Sequence, residues 1–425
     1  MMGFVEHQSC PPPQYLFFIK FEKQIRLLYF RGENLKSGRH FSIFYKNLTM
    51  KDFRAGKPAR TPKGYNAFVP ERINRAYRMD NPKLQGLVEQ ATLKLGALDA
   101  FGELVPNIQH FIRLHVVKEA TVSSKIEGTN TNIQDVLMDE RNVDPERRDD
   151  RHEVNNYIAA MQQSLDHMHE LPLSSRLLRE AHATLMHGVR GEKKTPGEFR
   201  HSQNWIGGAS LADATFIPPV WEDVNPLMSD LEKFLHSSDT QLPHVLKAAL
   251  AHYQFETIHP FLDGNGRIGR LMITLYFVHD GILKQPVLYL SDFFERNRTA
   301  YYDNLTRVRT HNDIEQWFKF FLVGVIETAD KATNGLREIL RLKKECVEKR
   351  IPSLPRKSPA ALKLLDQLFQ QPLVDASMVA IMVDQTPASA YKLITDFERI
   401  GILSEITGSK WGRIYRFEEY FKVFE

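Results

Sequence analysis

Twelve residues, HPFLDGNGRIGR from His259 to Arg270, restrict the folds open to this chain more than any other stretch. Gly264, Gly266 and Gly269 satisfy GxGxxG, which in a dinucleotide-binding fold must follow a strand and open a helix. The preceding residues, LPHVLKAALAHYQFETI, have helical spacing instead, with Val245, Ala248, Ala249, His252 and Phe255 on one face and Pro243 suited to the first turn. The following residues, Leu271 to Gly281, resume as a helix that Gly281 can end. No GxxxxGK[ST] stands anywhere, so a P-loop is absent as well. The segment is therefore a Gly-rich turn between two helices.

Its chemistry favours an anion. Glycines let successive backbone N–H groups converge into a nest, and a helix beginning near Asn265–Arg267 points its positive end at the same place. Arg267 and Arg270, three apart, share one helix face and can grip phosphate oxygens. Asp263 is placed to hold Mg2+ across phosphates, and His259 to take a proton from an attacking hydroxyl. Base, metal ligand, anion cradle and cationic clamp are the parts of phosphoryl or nucleotidyl transfer. The plainer alternative is a Gly-rich turn with a surface arginine pair.

The rest of the chain reads as mainly α. Its 425 residues suggest about three domains or subdomains. Hydrophobic residues make up 42% and charged residues 25%, which excludes a disordered or collagen-like chain. No apolar run is long enough for a transmembrane helix. Cys10 and Cys346 are the two cysteines, so a disulfide scaffold or Cys-rich zinc site is excluded and the cytoplasm is the expected compartment. Residues 1–49 are expected to be a non-native or disordered leader, since the sequence from Met50 reads like an ordinary start. Residues 50–80 read mostly as loop. Residues 84–128 read as helix broken near Pro106, with Asn132 capping a short further helix. Ser174 caps another helix that Gly188 stops. Thr195 to Pro219 is a Gly- and Pro-rich break with strand-like runs at 202–206 and 215–217, an irregular hairpin. Two helices follow, about 291–309 and 313–345. The tail, from a Pro-rich linker at 352–359, shows three helices and two strands around Gly408–Gly412, the pattern of a winged helix. The domains expected are thus a helical region at 50–150, a catalytic core at 151–345 and a winged helix at 346–425.

HPFLDGNGRIGR resembles, at every fixed position, the Fic (filamentation induced by cAMP) signature HxFx(D/E)GNGRxxR. The resemblance implies a Fic-type helical bundle with a small β-hairpin flap, here Thr195–Pro219. It implies a protein adenylyltransferase that moves AMP from ATP to a Ser, Thr or Tyr hydroxyl. His259 is then the base and Asp263 the Mg2+ ligand. Gly264, Asn265, Gly266, Arg267, Ile268, Gly269 and Arg270 form the nucleotide site, with Arg270 on the γ-phosphate. In the related Doc-type kinases a lysine stands at the position of Gly266, so glycine favours AMP transfer. Ser123-xxx-Glu127-Gly128 fits the family's inhibitory motif, (S/T)xxxE(G/N), and implies that Glu127 pairs with Arg270 and occupies the clamp that the γ-phosphate needs. Tyr301 and Tyr302 match a region where the family contacts adenine, and Tyr301 is taken as the contact.

The partners implied are ATP, a protein with an exposed hydroxyl and the chain itself as target, with a homodimer allowed. A reverse hydrolysis, with Glu127 orienting a water, is a subsidiary activity. The rival reading is a winged-helix DNA-binding regulator whose nucleotide site senses without turnover. Its charge does not favour it: residues 358–425 carry 7 Lys/Arg against 9 Asp/Glu, where a DNA footprint should be basic. The scattered histidines have no HExxH or cysteine pattern, so no structural zinc is expected.

Overall fold

The helix that precedes the Gly-rich segment has no solvent face. In the computed structural model every residue from Val245 to Ile258 is buried, Lys247 and Glu256 included. The single apolar face read from the sequence is one side of a helix enclosed all round, as befits the centre of a domain. The described residues are 48–105, 108–189, 192–354 and 359–424. The expected leader, apart from residues 48 and 49, lies outside them.

Around that helix the elements follow in chain order. Strand β1 (Leu48–Thr49) pairs in parallel with β4 (Tyr77–Arg78), and β2 (Gly56–Arg60) forms an antiparallel hairpin with β3 (Asn66–Pro70). The loop expected over 50–80 is thus partly strand. Its stabilising partner is remote in sequence: Phe68 packs on Phe216 and its N–H bonds to the Ile217 carbonyl at 2.9 Å. Next come α1 (Pro82–Leu104), α2 (Ile108–Ile126), α3 (Ile133–Leu137), α4 (Arg148–His167) and α5 (Ser175–Leu185). Asn81 caps α1 ahead of Pro82, and Asn132 and Ser174 cap α3 and α5 through the N–H groups of Asp135 and Leu177.

The hairpin expected between residues 195 and 219 narrows to one antiparallel bridge, Ile206 with Phe216. Helices α6 (Val224–His236), α7 (His244–Ile258) and α8 (Asn265–His279) follow, α7 being the enclosed one. Pro243 stands just before its first turn rather than in it. The helix expected at 291–309 divides at Asn297 into α9 (Ser291–Arg296) and α10 (Arg298–His311). Asn297 lends its side-chain amide to the Phe293 carbonyl at 2.9 Å, a local bond that competes with the helix ladder. Helix α11 (Ile314–Glu345) pairs along α1, and Trp317 ties it to α7 by an Nε1–H bond of 2.9 Å to the Ala249 carbonyl.

The tail holds α12 (Pro359–Leu368), α13 (Ala376–Val383), α14 (Pro387–Arg399) and α15 (Glu418–Lys422). With them stands an antiparallel sheet of order β5-β7-β6, formed by β5 (Leu373–Val374), β6 (Ser404–Glu405) and β7 (Tyr415–Arg416). Two strands are predicted there, and β5, between α12 and α13, is a third. The tail lies against α2 and α3. Phe369 meets Phe111 edge to face, Phe424 meets His115 likewise at 4.8 Å, and Gln371 donates to the Leu137 carbonyl. One apolar cluster continues from Met50 through α7 into Phe424. Among the described residues no helix is long and apolar enough to cross a membrane.

Phe369 is fully buried where the tail meets α2 and also packs on Phe417 and Tyr420. Phe369→Ala should cost about 3–5 kcal/mol, the range for a buried phenylalanine, read as a lower midpoint in chemical denaturation.

Candidate active site

Helix α7 ends at His259, whose backbone turns left-handed at φ 51°. A β-carbon makes that conformation costly, so neighbours must hold it. Arg200, 1% exposed, does so from the break after α5. Its Nε donates to the His259 carbonyl at 2.9 Å, and its Nη2 to those of Pro219 and Ile258 at 2.6 and 3.3 Å. Asn204 adds Nδ2–H bonds to the carbonyls of His259 and Phe261 at 3.2 and 2.8 Å. Burial lowers the Arg200 pKa to about 10, which leaves the guanidinium charged at neutral pH among carbonyl dipoles. Burial, aided by the Arg309 and Arg200 cations, lowers the His259 pKa to about 3. The ring is therefore a free base at pH 7, and its buried Nδ1 has no hydrogen-bond partner.

The Gly-rich turn is fixed next. Gly264 takes φ 73°, and the Asp263 carboxylate accepts its N–H at 2.6 Å. Asn265 closes the turn on Phe261, accepting from its N–H and donating to its carbonyl, both at 2.8 Å. His182 stacks on Phe261 at 3.8 Å. Its Nδ1 accepts the Gly197 N–H at 2.9 Å, so Nε2 carries the proton toward the Asp263 carbonyl at 3.1 Å. Burial keeps this ring neutral, with a pKa of about 4. The first-turn N–H groups of α8, at Asn265, Gly266 and Arg267, lack intrahelical acceptors and present the positive end of a 15-residue helix.

Both arginines are buried, and they turn to different carboxylates. Arg267 Nη1 donates to Glu153 of α4 at 3.1 Å, and Nη2 lies 3.7 Å from Asp263. Arg270 faces the end of α2. Its Nε donates to the Ser123 hydroxyl at 2.9 Å, and its Nη2 to the Ser123 carbonyl at 2.8 Å and to Glu127 at 2.7 Å. A β-carbon added at Gly266 would stand 2.1 Å from the Glu127 Oε1, so this carboxylate lies directly over the first turn of α8. Desolvation works against ionised Glu127, but the charge and hydrogen bond of Arg270 outweigh it and hold its pKa below the usual carboxylate range. Gly128, at φ 100°, lets the chain leave α2 at that point, and Arg298 caps the Ile126 carbonyl at 2.7 Å.

Three residues expected in the nucleotide site are placed otherwise. Ile268 is fully buried in the core. At Gly269 a β-carbon would fall 2.3 Å from Glu256 Oε1, so this glycine serves the close packing of α8 on α7. Tyr301 is 1% exposed, stacked on Phe294, with its hydroxyl engaged by His252 at 2.8 Å. The exposed ring there is Tyr302, because Tyr301 takes the inward face of α10. Sequence reasoning missed Glu153, His182, Arg200 and Asn204 as parts of the site. Each acts across 50 or more residues of chain, and nothing in the local sequence names its partner. Among the described residues no group of three or more His, Cys, Asp or Glu is arranged to hold a metal ion.

Residues 85–166 match the family described as Fic/DOC family N-terminal, and residues 172–277 match Fic/DOC family. These two segments belong to the Fic/DOC family. The Fic segment contains the whole His259–Arg270 turn, and the Fic N-terminal segment contains Ser123, Glu127 and Glu153. The protein adenylyltransferase Fic of Aedes aegypti is 36% identical over 135 residues, 32% of this chain and 24% of that protein. The Drosophila melanogaster protein of the same name is 34% identical over 135 residues, 32% of this chain and 25% of its own length. The matched region thus spans about a quarter of these curated relatives. A Fic family protein from Desulfovibrio desulfuricans G20 superposes with a TM-score of 0.51 at 18% identity, covering 81% of this chain and 98% of that one. The helical Fic fold is shared.

Asn204→Ala removes two bonds to the turn and leaves the Phe261 carbonyl one donor short. It should destabilise the chain by about 1–3 kcal/mol and speed amide exchange in residues 259–265 relative to α7, measured by hydrogen–deuterium exchange.

Proposed function

We propose that this chain is a protein adenylyltransferase, moving AMP from MgATP to Ser, Thr or Tyr hydroxyls of proteins, itself included, and restrained by Glu127. The observation that carries the reading is the opposition of a neutral His259 to an anion cradle that Glu127 covers. The catalytic step follows from that arrangement. The target hydroxyl oxygen attacks the α-phosphorus, its proton passes to His259, and the bond to pyrophosphate breaks. The N–H groups of Asn265, Gly266 and Arg267 would face the phosphate oxygens, since the Asn265 side chain is engaged with Phe261. Arg267 would bind the β-phosphate and Arg270, once released from Glu127, the γ-phosphate.

The residues present suit a phosphate-bound divalent cation. Asp263 is half exposed, and one of its oxygens makes no hydrogen bond among the described residues. A single carboxylate with phosphate oxygens and waters is the usual Mg2+ arrangement, and the ion would neutralise charge on the phosphates. Glu127 inhibits by occupying Arg270 and the space over Gly266. In that state the triphosphate meets a carboxylate where it needs a cation.

The division that accompanies this reading is an inhibitory helical region at 50–150, a Fic core at 151–345 and a winged-helix tail at 346–425. The tail's contacts with α2 and α3 favour an internal packing role over DNA reading.

Intact mass after incubation with MgATP tests the proposal. AMP-sized additions should be strongest in Glu127→Gly, weak in the wild type and absent in Glu127→Gly/His259→Ala. Phosphate-sized additions would instead indicate a kinase-like orientation. The pH profile offers a second test. A folded pKa of about 3 keeps His259 deprotonated throughout the neutral range. The kcat/KM of Glu127→Gly should therefore show no acid limb near pH 6.5, where an unperturbed histidine would protonate. A limb centred there would show His259 titrating as an ordinary histidine and would contradict the lowering of its pKa by burial.

A further inference from the structure

A cavity lies between α2 and α11, lined by none of the residues of the Gly-rich turn. Its walls come from α2 (His115, Lys118, Val122), from the stretch before α9 (Val287, Tyr289), from α11 (Lys331) and from the chain's last described residues, Val423 and Phe424. Its polar groups offer more donors than acceptors. Lys118 and Lys331 share the carboxylate of Asp292 at 3.6 and 3.1 Å. Arg296 also reaches that carboxylate, at 3.3 Å. Lys118 is 14% exposed, and burial lowers its pKa, opposed by Asp292 and reinforced by the neighbouring Lys331 charge. Tyr289, 7% exposed, carries a buried hydroxyl with no hydrogen-bond partner. Glu119 also borders the cavity, but its carboxylate accepts from Tyr157 and from the Ser291 hydroxyl and N–H. Between these polar groups the wall is apolar, with Val122, Val287, Ala332 and Val423.

We propose that this cavity binds a small organic carboxylate with an apolar body, and that its occupation loosens the Glu127–Arg270 pair. An anionic acceptor answers the surplus ammonium and the orphaned phenol hydroxyl, and the apolar walls take a hydrocarbon chain. The coupling is mechanical. Glu119 and Ser123 are spaced by four on α2 and share one helix face, and Glu127 stands in the turn one residue past the helix end. Glu119 borders the cavity, Ser123 accepts from Arg270, and Glu127 covers Gly266. The Arg270–Glu127 bond is 2.7 Å long with Ser123 fixed beside it. An occupant wedged between α2 and α11 would press on α2, and a shift of its C-terminal end away from α8 lengthens that contact. A ligand moves this balance only by binding the displaced state more tightly. The regulatory half of the proposal rests on the adenylyltransferase reading; the binding half does not.

Calorimetric titration of the full chain with straight-chain carboxylates from acetate to butanoate, and with the matching alkylamines, tests the site without nucleotide. Saturable binding that tightens with chain length is expected for the carboxylates alone. Tyr289→Phe and Lys331→Met should each weaken it about tenfold, the effect of losing one hydrogen bond to a charged group. Gly335→Leu should abolish it by filling the cavity, since a β-carbon at Gly335 meets only Val423, at 3.5 Å. No saturable binding in the wild type, or unchanged binding in Gly335→Leu, overturns the site. Saturating butanoate should then raise wild-type self-labelling by MgATP several-fold and leave Glu127→Gly unchanged. Unaltered wild-type labelling beside an active Glu127→Gly overturns the coupling. If Glu127→Gly does not label at all, the adenylyltransferase reading falls, and the calorimetry still decides the site.

Discussion

The buried guanidinium of Arg270 is the constraint around which the site is arranged. A cation removed from water must be paired, and leaving one uncompensated costs about 3–5 kcal/mol. In this structure α2 supplies the partners, the Ser123 hydroxyl, the Ser123 carbonyl and Glu127, all at its C-terminal end. A helix C-terminus favours a cation on its own account, so two features of α2 serve the same charge. A nucleotide bringing its own anion would compete for this guanidinium. On the proposed reading, the interaction that completes this structure is the one a bound triphosphate would have to replace.

Everything else near the turn makes that competition local. Arg200 and Asn204 hold the left-handed bend at His259 from one side, and His182 holds the Asp263–Gly264 corner from the other. Asn265 ties the turn to itself. These bonds fix backbone carbonyls and N–H groups, so the cradle does not depend on Glu127 for its shape. Arg267 has its own buried partner in Glu153. Withdrawal of α2 would therefore expose a preformed anion site, and only Arg270 would need a new partner.

The sequence made legible what is local. The Gly-rich turn, its flanking helices, the caps at Asn132 and Ser174 and the motif at Ser123–Gly128 all lie in short stretches whose residue types carry the signal without a distant partner. Non-local partners were illegible. The β2–β3 hairpin depends on Phe216, and the arginine beneath His259 comes from residue 200. Glu153 closes a run of charged residues from Asp139, and nothing in that run distinguishes it. Tyr301 and Tyr302 differ only in which face of α10 they occupy, and tertiary packing decides it. Gly269 belongs to the signature, yet its observed role is to let α7 and α8 approach, a need invisible without the neighbouring helix.

The central claim is that Glu127 holds the γ-phosphate position of Arg270. Its most direct test is the affinity of wild type and Glu127→Gly for ATP and for ADP, measured by calorimetry in His259→Ala backgrounds so that no transfer occurs. ATP and ADP should bind the Glu127-containing protein about equally, because the third phosphate finds no cation. Without Glu127, ATP should be preferred by about tenfold or more, the worth of a charge-assisted hydrogen bond. An ATP preference of the same size in both proteins would contradict the account.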